Sequence, residues 1–573
     1  MPSSRLTTDA RSAALVSMST APLDVLVIGG GITGAGIALD AATRGLRVGI
    51  VEAQDWSSGT SSRSSRLVHG GLRYLYNLDF PLVAESLRER DRLLTTIAPH
   101  LVTAQPFLWP LKMPVIERSY SAVGVGMYDA LALLGGRGSK ATPFQKHLTK
   151  RGTMSTFPDV REDSLVGAIR FYDARVDDSR LVVTLVRTAV KYGALAASRT
   201  QVVGLERAPG GRVMGAVVQD LQTGDELTIH ARETINATGV WTEDVQSLTH
   251  AAGGLRVLAS KGIHIVVPRD RIRGNTGMFL RTEKSVLFII PWPEYWLIGT
   301  TDTPWTGNLQ HPVATQADVD YVLEHANAIL SSGLTREDVI ATFAGLRPLL
   351  QPGTIDKNKT AKISREHTVT RAAPGLSSIA GGKLTTYRVM AEDAVDFALG
   401  AKARSLPSVT VNTPLVGAEG IEAVTRRART IARAYGWDVD RVHHLLSRYG
   451  SMIEELTAMV DADRTLGEAL ASAPRYLRAE VAYAVTHEGA LHLEDILTHR
   501  IRLNIERPDR GTSSLEEIAD IAAPLLNWDE GTTEHEKATY RARVDAEIAA
   551  QACLTDTAAT TARATAADLI PLV

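Results

Sequence analysis

Between Ser61 and Leu75 the chain reads SSRSSRLVHGGLRYL, in which Arg63, Arg66, Arg73 and His69 stand among serines around the pair Gly70 and Gly71. Residues of these types grip an anion: guanidinium groups present paired donors to carboxylate or phosphate, and adjacent glycines let backbone pass close to a flat ring. Arg63 taken alone reads as a solvated loop residue, whereas Arg66, His69 and Arg73 beside the glycine pair read as a site. The combination recurs downstream. GLRPLLQP sets Arg347 between a glycine and a proline, with Arg365 and His367 following in SREHTVT. SIAGGKLTTYR gives Gly381 and Gly382, then Lys383, Thr385 and Thr386, a pattern suited to a loop that meets an anion or a cofactor edge. In SKGIHIVVP, His264 enters an otherwise apolar strand, either as a hydrogen-bonded core residue or as a base.

These groups need elements to position them, and the first is legible. DVLVI (24–28) is a short β-branched run, GGGITG follows, residues 32–44 carry alanines at helical spacing, Gly45 ends that helix, and RVGIV (47–51) is a second apolar run. Neither run alternates, as expected of strands covered on both faces of a parallel sheet. Gly29, Gly31 and Gly34 therefore supply G-x-G-x-x-G between a strand and a helix, with Glu52 closing the second strand about twenty residues later. The first glycine permits the tight turn, the second admits a pyrophosphate, and the third lets helix and strand pack closely. The helix N-terminus offers free N–H groups to phosphates, and Glu52 would accept from ribose hydroxyls. The fingerprint fits NAD or FAD; a single such unit fits one bound flavin better than a relay through two nucleotide domains. GGKLT is not an ATP loop, because Ser377 and Leu384 stand where glycine and Ser or Thr are required.

At 573 residues the chain exceeds the ~250–300 at which one core stops growing, so two or three domains are expected. Residues 1–20 read as a disordered tail, 21–400 as the nucleotide-binding region interleaved with an antiparallel domain (clearest at 262–305), 401–415 as a linker, 416–550 as a helical domain and 551–573 as a loose tail. Residues 80–97 pattern as an amphipathic helix, 100–150 as irregular, 180–192 as helix, and 201–205, 212–219 and 226–230 as strands. TINATGVW (234–241) reads as a further strand entering a turn at Gly239, and a helix follows GGKLTTYR to Leu399. Sixty-two Lys and Arg against 64 Asp and Glu give a net charge of −2, which argues against a nucleic-acid binder. One cysteine, Cys553, excludes intrachain disulfides, Cys-ligated zinc and iron–sulfur clusters. No metal motif forms: His487 and His492 have the wrong interval, and 461–472 lacks the calcium-loop glycine and glutamate. That single cysteine fits a reducing cytoplasm, the expected location, and no apolar run approaches the ~20 residues of a membrane span, so any membrane contact is expected at the surface.

In order, DVLVIGGGITGAGIALDAATRGLRVGIVEAQDWSSGTSSRSSRLVHGGLRYL, INATGVW, KGIHIVVP, IGTTDTPW, GLRPL and GGKLTTYR resemble the FAD-dependent, respiratory glycerol-3-phosphate dehydrogenases of bacteria over about 23–540. The resemblance implies an α/β plus α fold: a Rossmann-like FAD-binding domain of the amino-acid-oxidase type, an antiparallel β substrate domain and a C-terminal helical domain. It implies non-covalent FAD, oxidation of sn-glycerol 3-phosphate to dihydroxyacetone phosphate, and a quinone as acceptor met at the inner face of the cell membrane. It assigns cofactor contacts to Gly29, Gly31, Gly34, Glu52, Ser61, Ser62, Ser65, His69, Gly70, Gly71, Gly239, Gly381, Gly382 and Thr385. Substrate contacts fall to Arg73, Tyr74, Arg365 and Lys383, the base to His264, and alkoxide stabilisation to Arg347. Arg66 stands where many members carry lysine, and the leader lies outside the resemblance. A homodimer is the default assembly. An oxidase using oxygen, or a flavin-containing binding protein without catalysis, would share these motifs.

Overall fold

The computed structural model describes residues 3–71, 79–112, 126, 141–249, 254–282, 286–351 and 367–573. Parallel strands β1 (Leu23–Ile28), β2 (Val48–Val51), β3 (Leu195–Ala197) and β4 (Glu226–Asn236), with Leu376–Ala380, form one sheet in the order 376–380, β4, β1, β2, β3. All of β2 and all of β1 except Asp24 are buried, which accounts for their unbroken apolar runs. Helix α1 (Thr8–Thr20) lies on one face; α2 (Ile32–Thr43), packed between α3 (Asp178–Lys191) and α4 (Tyr387–Leu399), covers the other. The two expected strands at 226–230 and 234–241 are one continuous β4: its first half pairs antiparallel with Val213–Asp220 and its second half parallel with β1.

A second, mostly antiparallel sheet carries the substrate-side motifs. Its key ladder joins β5 (Val257–Pro268) to β6 (Ala341–Leu350), with Ser260 opposite Arg347, Gly262 opposite Gly345, and His264 opposite Phe343. Side chains alternate across a strand, so Ile263, Ile265 and Val267 enter a core with helix Gln316–Asn327 while Ser260, Gly262 and His264 share the opposite face. The irregular reading of 100–150 concealed the strand Thr103–Leu111, which pairs along its whole length with Gly167–Arg175. Pro106 and Pro110, residues that weaken a strand reading, broke its pattern.

The helices beyond Gly420 are held to the nucleotide unit by a buried ionic clamp. Asp55 accepts from Arg500 Nη1 at 2.7 Å and Nη2 at 2.8 Å and pairs with His499 Nδ1 at 2.7 Å. Arg180 pairs with Glu488, and Arg199 with Asp495 at 2.6 Å. Burial pushes the Asp55 carboxyl up, but Arg500 and His499 more than offset this and hold it well below the usual range.

Three segments, read as a disordered tail, a linker and a loose tail, are packed. In the leader, Thr7 caps α1, Arg11 ion-pairs with Asp220 and donates to Ser198 O at 2.7 Å, and Met18 is buried against the Gly49 position. Its inward face, Arg11, Ala14, Leu15 and Met18, follows helical spacing, and the short apolar run hid it. In the 401–415 stretch, Ser408 and Thr410 bond Asp40, Leu415 N donates to Ile97 O at 2.8 Å, and Leu415 enters the nucleotide-domain core. In the final segment, α5 (Asp556–Arg563) packs Ala559 beside Trp305 and Leu346, and Asp556 pairs with buried Lys261. Small Ala and Thr side chains permit that close packing.

Asp55→Ala leaves Arg500 buried without its counter-ion, a loss of about 3–5 kcal/mol readable as a shift in urea unfolding; a loss under about 1 kcal/mol would show that the clamp contributes little. Because Asp55 titrates below its unfolded value of about 3.9, this stability is fully present above that pH and fades on acidification through the folded value.

Candidate active site

Where β1 ends, Gly29 adopts φ +108°, and a Cβ there would lie 2.8 Å from Ala237 O. Gly34 sits behind the turn: its Cβ would fall 1.8 Å from Gly29 O, so its role is to let α2 press against the strand. Gly31 caps α2, and a Cβ there would come 3.1 Å from Ser61 Oγ, which accepts from Ile32 N at 2.9 Å. Glu52 accepts from Gly30 N at 2.6 Å and Gln54 N at 2.8 Å. Burial pushes its carboxyl up, opposed by those two backbone donors. Over this turn runs a cavity of about 770 Å³ that reaches from Gly29, Gly31 and Glu52 past Ser61 and Gly239 to Gly381, Gly382 and Lys383. That volume lies within the ~300–1,000 Å³ of ligand sites.

Beside Gly381 and Gly382 the two glycine pairs meet, with His69, Gly70, Gly71 and Thr385 themselves off the cavity lining. Thr385 Oγ1 accepts from His69 N at 3.0 Å and donates to His69 O at 3.3 Å, and Gly70 N donates to Asp173 Oδ1 at 3.3 Å. Gly71, Gly381 and Gly382 have φ of +76°, +84° and +79°, the left-handed region that favours glycine. A Cβ on Gly382 would lie 2.4 Å from Met390 Sδ. Lys383 lines the cavity with Nζ 3.2 Å from Ser86 Oγ.

His264 and Arg347 lie on the same face of the β5–β6 ladder, and Pro348, next to Arg347, lines the cavity. Arg347 Nη2 donates to Thr300 Oγ1 at 3.0 Å and Thr301 O at 3.1 Å, and Nη1 to Asp302 Oδ1 at 3.3 Å. His264 is stacked on Phe343 at 4.9 Å, its Nε2 is 2.8 Å from Ser65 Oγ, and its buried Nδ1 has no hydrogen-bond partner among the described residues. Burial, reinforced by the charges of Arg347 and Arg66, pushes its pKa down to about 3. The imidazole is therefore neutral.

Several expected residues have other placements. Ser65 meets His264 and lies off the cavity lining; Ser62 Oγ donates to Gly59 O at 3.4 Å, and its carbonyl accepts from Arg502 at 2.8 Å. Arg66 is fully buried, with Nη1 2.7 Å from Tyr295 Oη and Nε 3.8 Å from Asp178, so it supports the loop. His367 pairs with Asp393. Arg73, Tyr74 and Arg365 lie outside the described residues. The sequence reading missed Thr200–Val203, Trp241, Leu572 and Val573 along the cavity. The only available signal was β-propensity at 201–205, which marks a strand but not its neighbour.

The family model "FAD dependent oxidoreductase" matches residues 24–388, and "C-terminal domain of alpha-glycerophosphate oxidase" matches 408–533. Glycerol-3-phosphate dehydrogenase 2 of Mycobacterium tuberculosis is 49% identical over 97% of this chain and 94% of that protein. The mitochondrial glycerol-3-phosphate dehydrogenase of Bos taurus is 36% identical over 92% of this chain and 74% of its own length. The crystal structure of glycerol-3-phosphate dehydrogenase from Bacillus halodurans complexed with FAD superposes with a TM-score of 0.76 at 28% identity, covering 94% of this chain and 98% of the other. The chain belongs to the FAD-dependent glycerol-3-phosphate dehydrogenase family. Its fold is the amino-acid-oxidase type with a C-terminal helical domain, as the sequence implied. FAD is the family's cofactor, and the chain fits it: Gly29, Gly31 and Glu52 line the cavity at the strand–helix turn, the α2 N-terminus opens onto it through Ile32 and Thr33, and Glu52 stands where an adenosine ribose would meet an acceptor.

Glu52→Ala removes charge-assisted bonds worth about 1.5–3 kcal/mol, so FAD affinity falls about 10–100-fold, measured as flavin-to-protein ratio after dialysis. Full flavin retention would contradict the ribose role.

Proposed function

We propose that this enzyme oxidises sn-glycerol 3-phosphate to dihydroxyacetone phosphate and passes the electrons to a quinone. The observation that carries this reading is a neutral, buried His264 sharing one strand face with the anchored guanidinium of Arg347, in a chain whose flavin-sized cavity is lined by Lys383. Relatives at 49% and 36% identity bear the name of that dehydrogenase.

Bound FAD supplies the acceptor for the hydride that leaves substrate C2. The chain's own residues bind, orient and take the proton. Lys383, with Arg73, Tyr74 and Arg365, receives the phosphate, and each charge-assisted bond contributes about 1.5–3 kcal/mol. Glycerol forfeits these bonds, so the phosphate sets specificity. Arg347, held by Thr300, Thr301 and Asp302, presents a fixed charge to the oxygen as negative charge develops on it. His264 Nδ1 takes the hydroxyl proton while Ser65 holds Nε2. Hydride and proton together account for both hydrogens lost in forming the ketone. Among the described residues no helix is long and apolar enough to cross a membrane, and in this proposal the quinone is met at the surface of the inner leaflet.

Under anaerobic conditions glycerol 3-phosphate bleaches the flavin absorbance and an equal concentration of glycerol does not; equal bleaching would remove the phosphate from the argument. His264→Asn slows single-turnover flavin reduction by about 10²–10⁴-fold with flavin content unchanged, and an unaltered rate would exclude His264 as the base. Turnover with a soluble quinone exceeds oxygen consumption, whereas stoichiometric peroxide would make the protein an oxidase.

A further inference from the structure

Behind the cofactor loop lies a second cavity of about 90 Å³, walled off from the first by Gln54 and Ser58, which line both. Five guanidinium groups line it: Arg63, Arg502, Arg510, Arg543 and Arg563. Two carboxylates join them, Glu494 and Glu547, and Arg543 pairs with both. A third, Asp568, lies 3.8 Å from Arg563 and is shared with His311. The remaining cations are poorly matched. Arg63 and Arg510 have no carboxylate within ion-pair distance among the described residues; they donate to backbone oxygens, and Arg510 also to Gln551. Arg502 is 2% exposed, lies 3.5 Å from an Asp178 already shared with Arg66, and leaves both Nε and Nη1 without a hydrogen-bond partner.

Burying cations without counter-charge is costly, and a cavity lined by more guanidinium groups than carboxylates is a receptor for an oxyanion. We infer that this cavity binds a tetrahedral inorganic oxyanion of the phosphate class, held by Arg63 and Arg510 beside Arg502 at the junction of the cofactor loop, the substrate sheet and the C-terminal helices. At ~10–15 Å³ per water, about 90 Å³ has room for several waters or one such ion. Arg63 is pushed down to about 10 by burial and then by the charge of Arg543, the direction an unrelieved cluster of cations produces. Gln54 and Ser58 line both cavities, and no arginine of the second lines the first.

The test is thermal unfolding of the holoenzyme in inorganic phosphate against chloride at matched ionic strength. Phosphate shifts the Tm of the parent upward through ligand linkage. Lys383→Met, which disables the proposed substrate site, keeps that shift, whereas Arg63→Gln loses it and is no less stable than the parent in chloride, since a repulsion has been removed. A parent without a phosphate-specific shift, a shift lost in Lys383→Met, a shift kept in Arg63→Gln, or an Arg63→Gln protein destabilised in chloride would each overturn the inference. Crystals of the parent soaked in selenate give an anomalous peak beside Arg502, and an empty cavity there would also refute it.

Discussion

Two side chains are missing from the middle of the β5–β6 ladder, and the site depends on their absence. A Cβ on Gly262 would lie 2.4 Å from Arg347 Nη2 and 2.5 Å from Thr300 Oγ1; one on Gly345 would lie 2.4 Å from Arg63 O. With both positions bare, Arg347 lies across the strand pair and the 61–65 loop comes down on the same face. Period-two alternation then sets His264 one step along the ladder, stacked on Phe343 and met by Ser65 from that loop. Bulk at Gly345 would push the loop off the ladder, and Ser65 away from His264, while bulk at Gly262 would displace Arg347.

The loop that approaches the ladder is itself held from behind. Three residues after Glu52, Asp55 takes the clamp from Arg500 and His499, and Trp56 is buried against Gly30. The segment is thus fixed at one end by the nucleotide turn and at the other by the C-terminal helices. Buried ions repay their desolvation only when fully bonded, which makes this clamp a means of setting position more than of adding stability. The C-terminal domain, remote from the chemistry in sequence, thereby stiffens the floor of the cofactor cavity.

The sequence made legible what local chemistry dictates. The strand–turn–helix unit showed because its glycines, apolar runs and terminal glutamate lie within one stretch; the two glycine pairs showed because each left a lysine or arginine beside it. What it could not show was direction. Arg66 and Arg73 look alike in SSRSSRLVHGGLRYL, yet Arg66 is turned inward onto Tyr295 and Asp178. The Ser61, Ser62 and Ser65 hydroxyls are likewise one type with three destinations: α2, the Gly59 carbonyl and His264. Thr200–Val203 flank the cavity as part of a strand with no catalytic residue type, and the ends of the chain pack through small residues that read as low-complexity tails. The five-arginine cavity was invisible because its members come from positions 63 to 563 and meet only in the fold.

The account stands on His264 facing the reacting alcohol from a cation-framed strand face. A crystal structure of the flavin-loaded enzyme with glycerol 3-phosphate bound measures this directly. The prediction is a substrate C2 oxygen within about 2.6–3.2 Å of His264 Nδ1, with the phosphate against Lys383. A substrate seated with its alcohol turned from Nδ1, or its phosphate held away from Lys383, would contradict it.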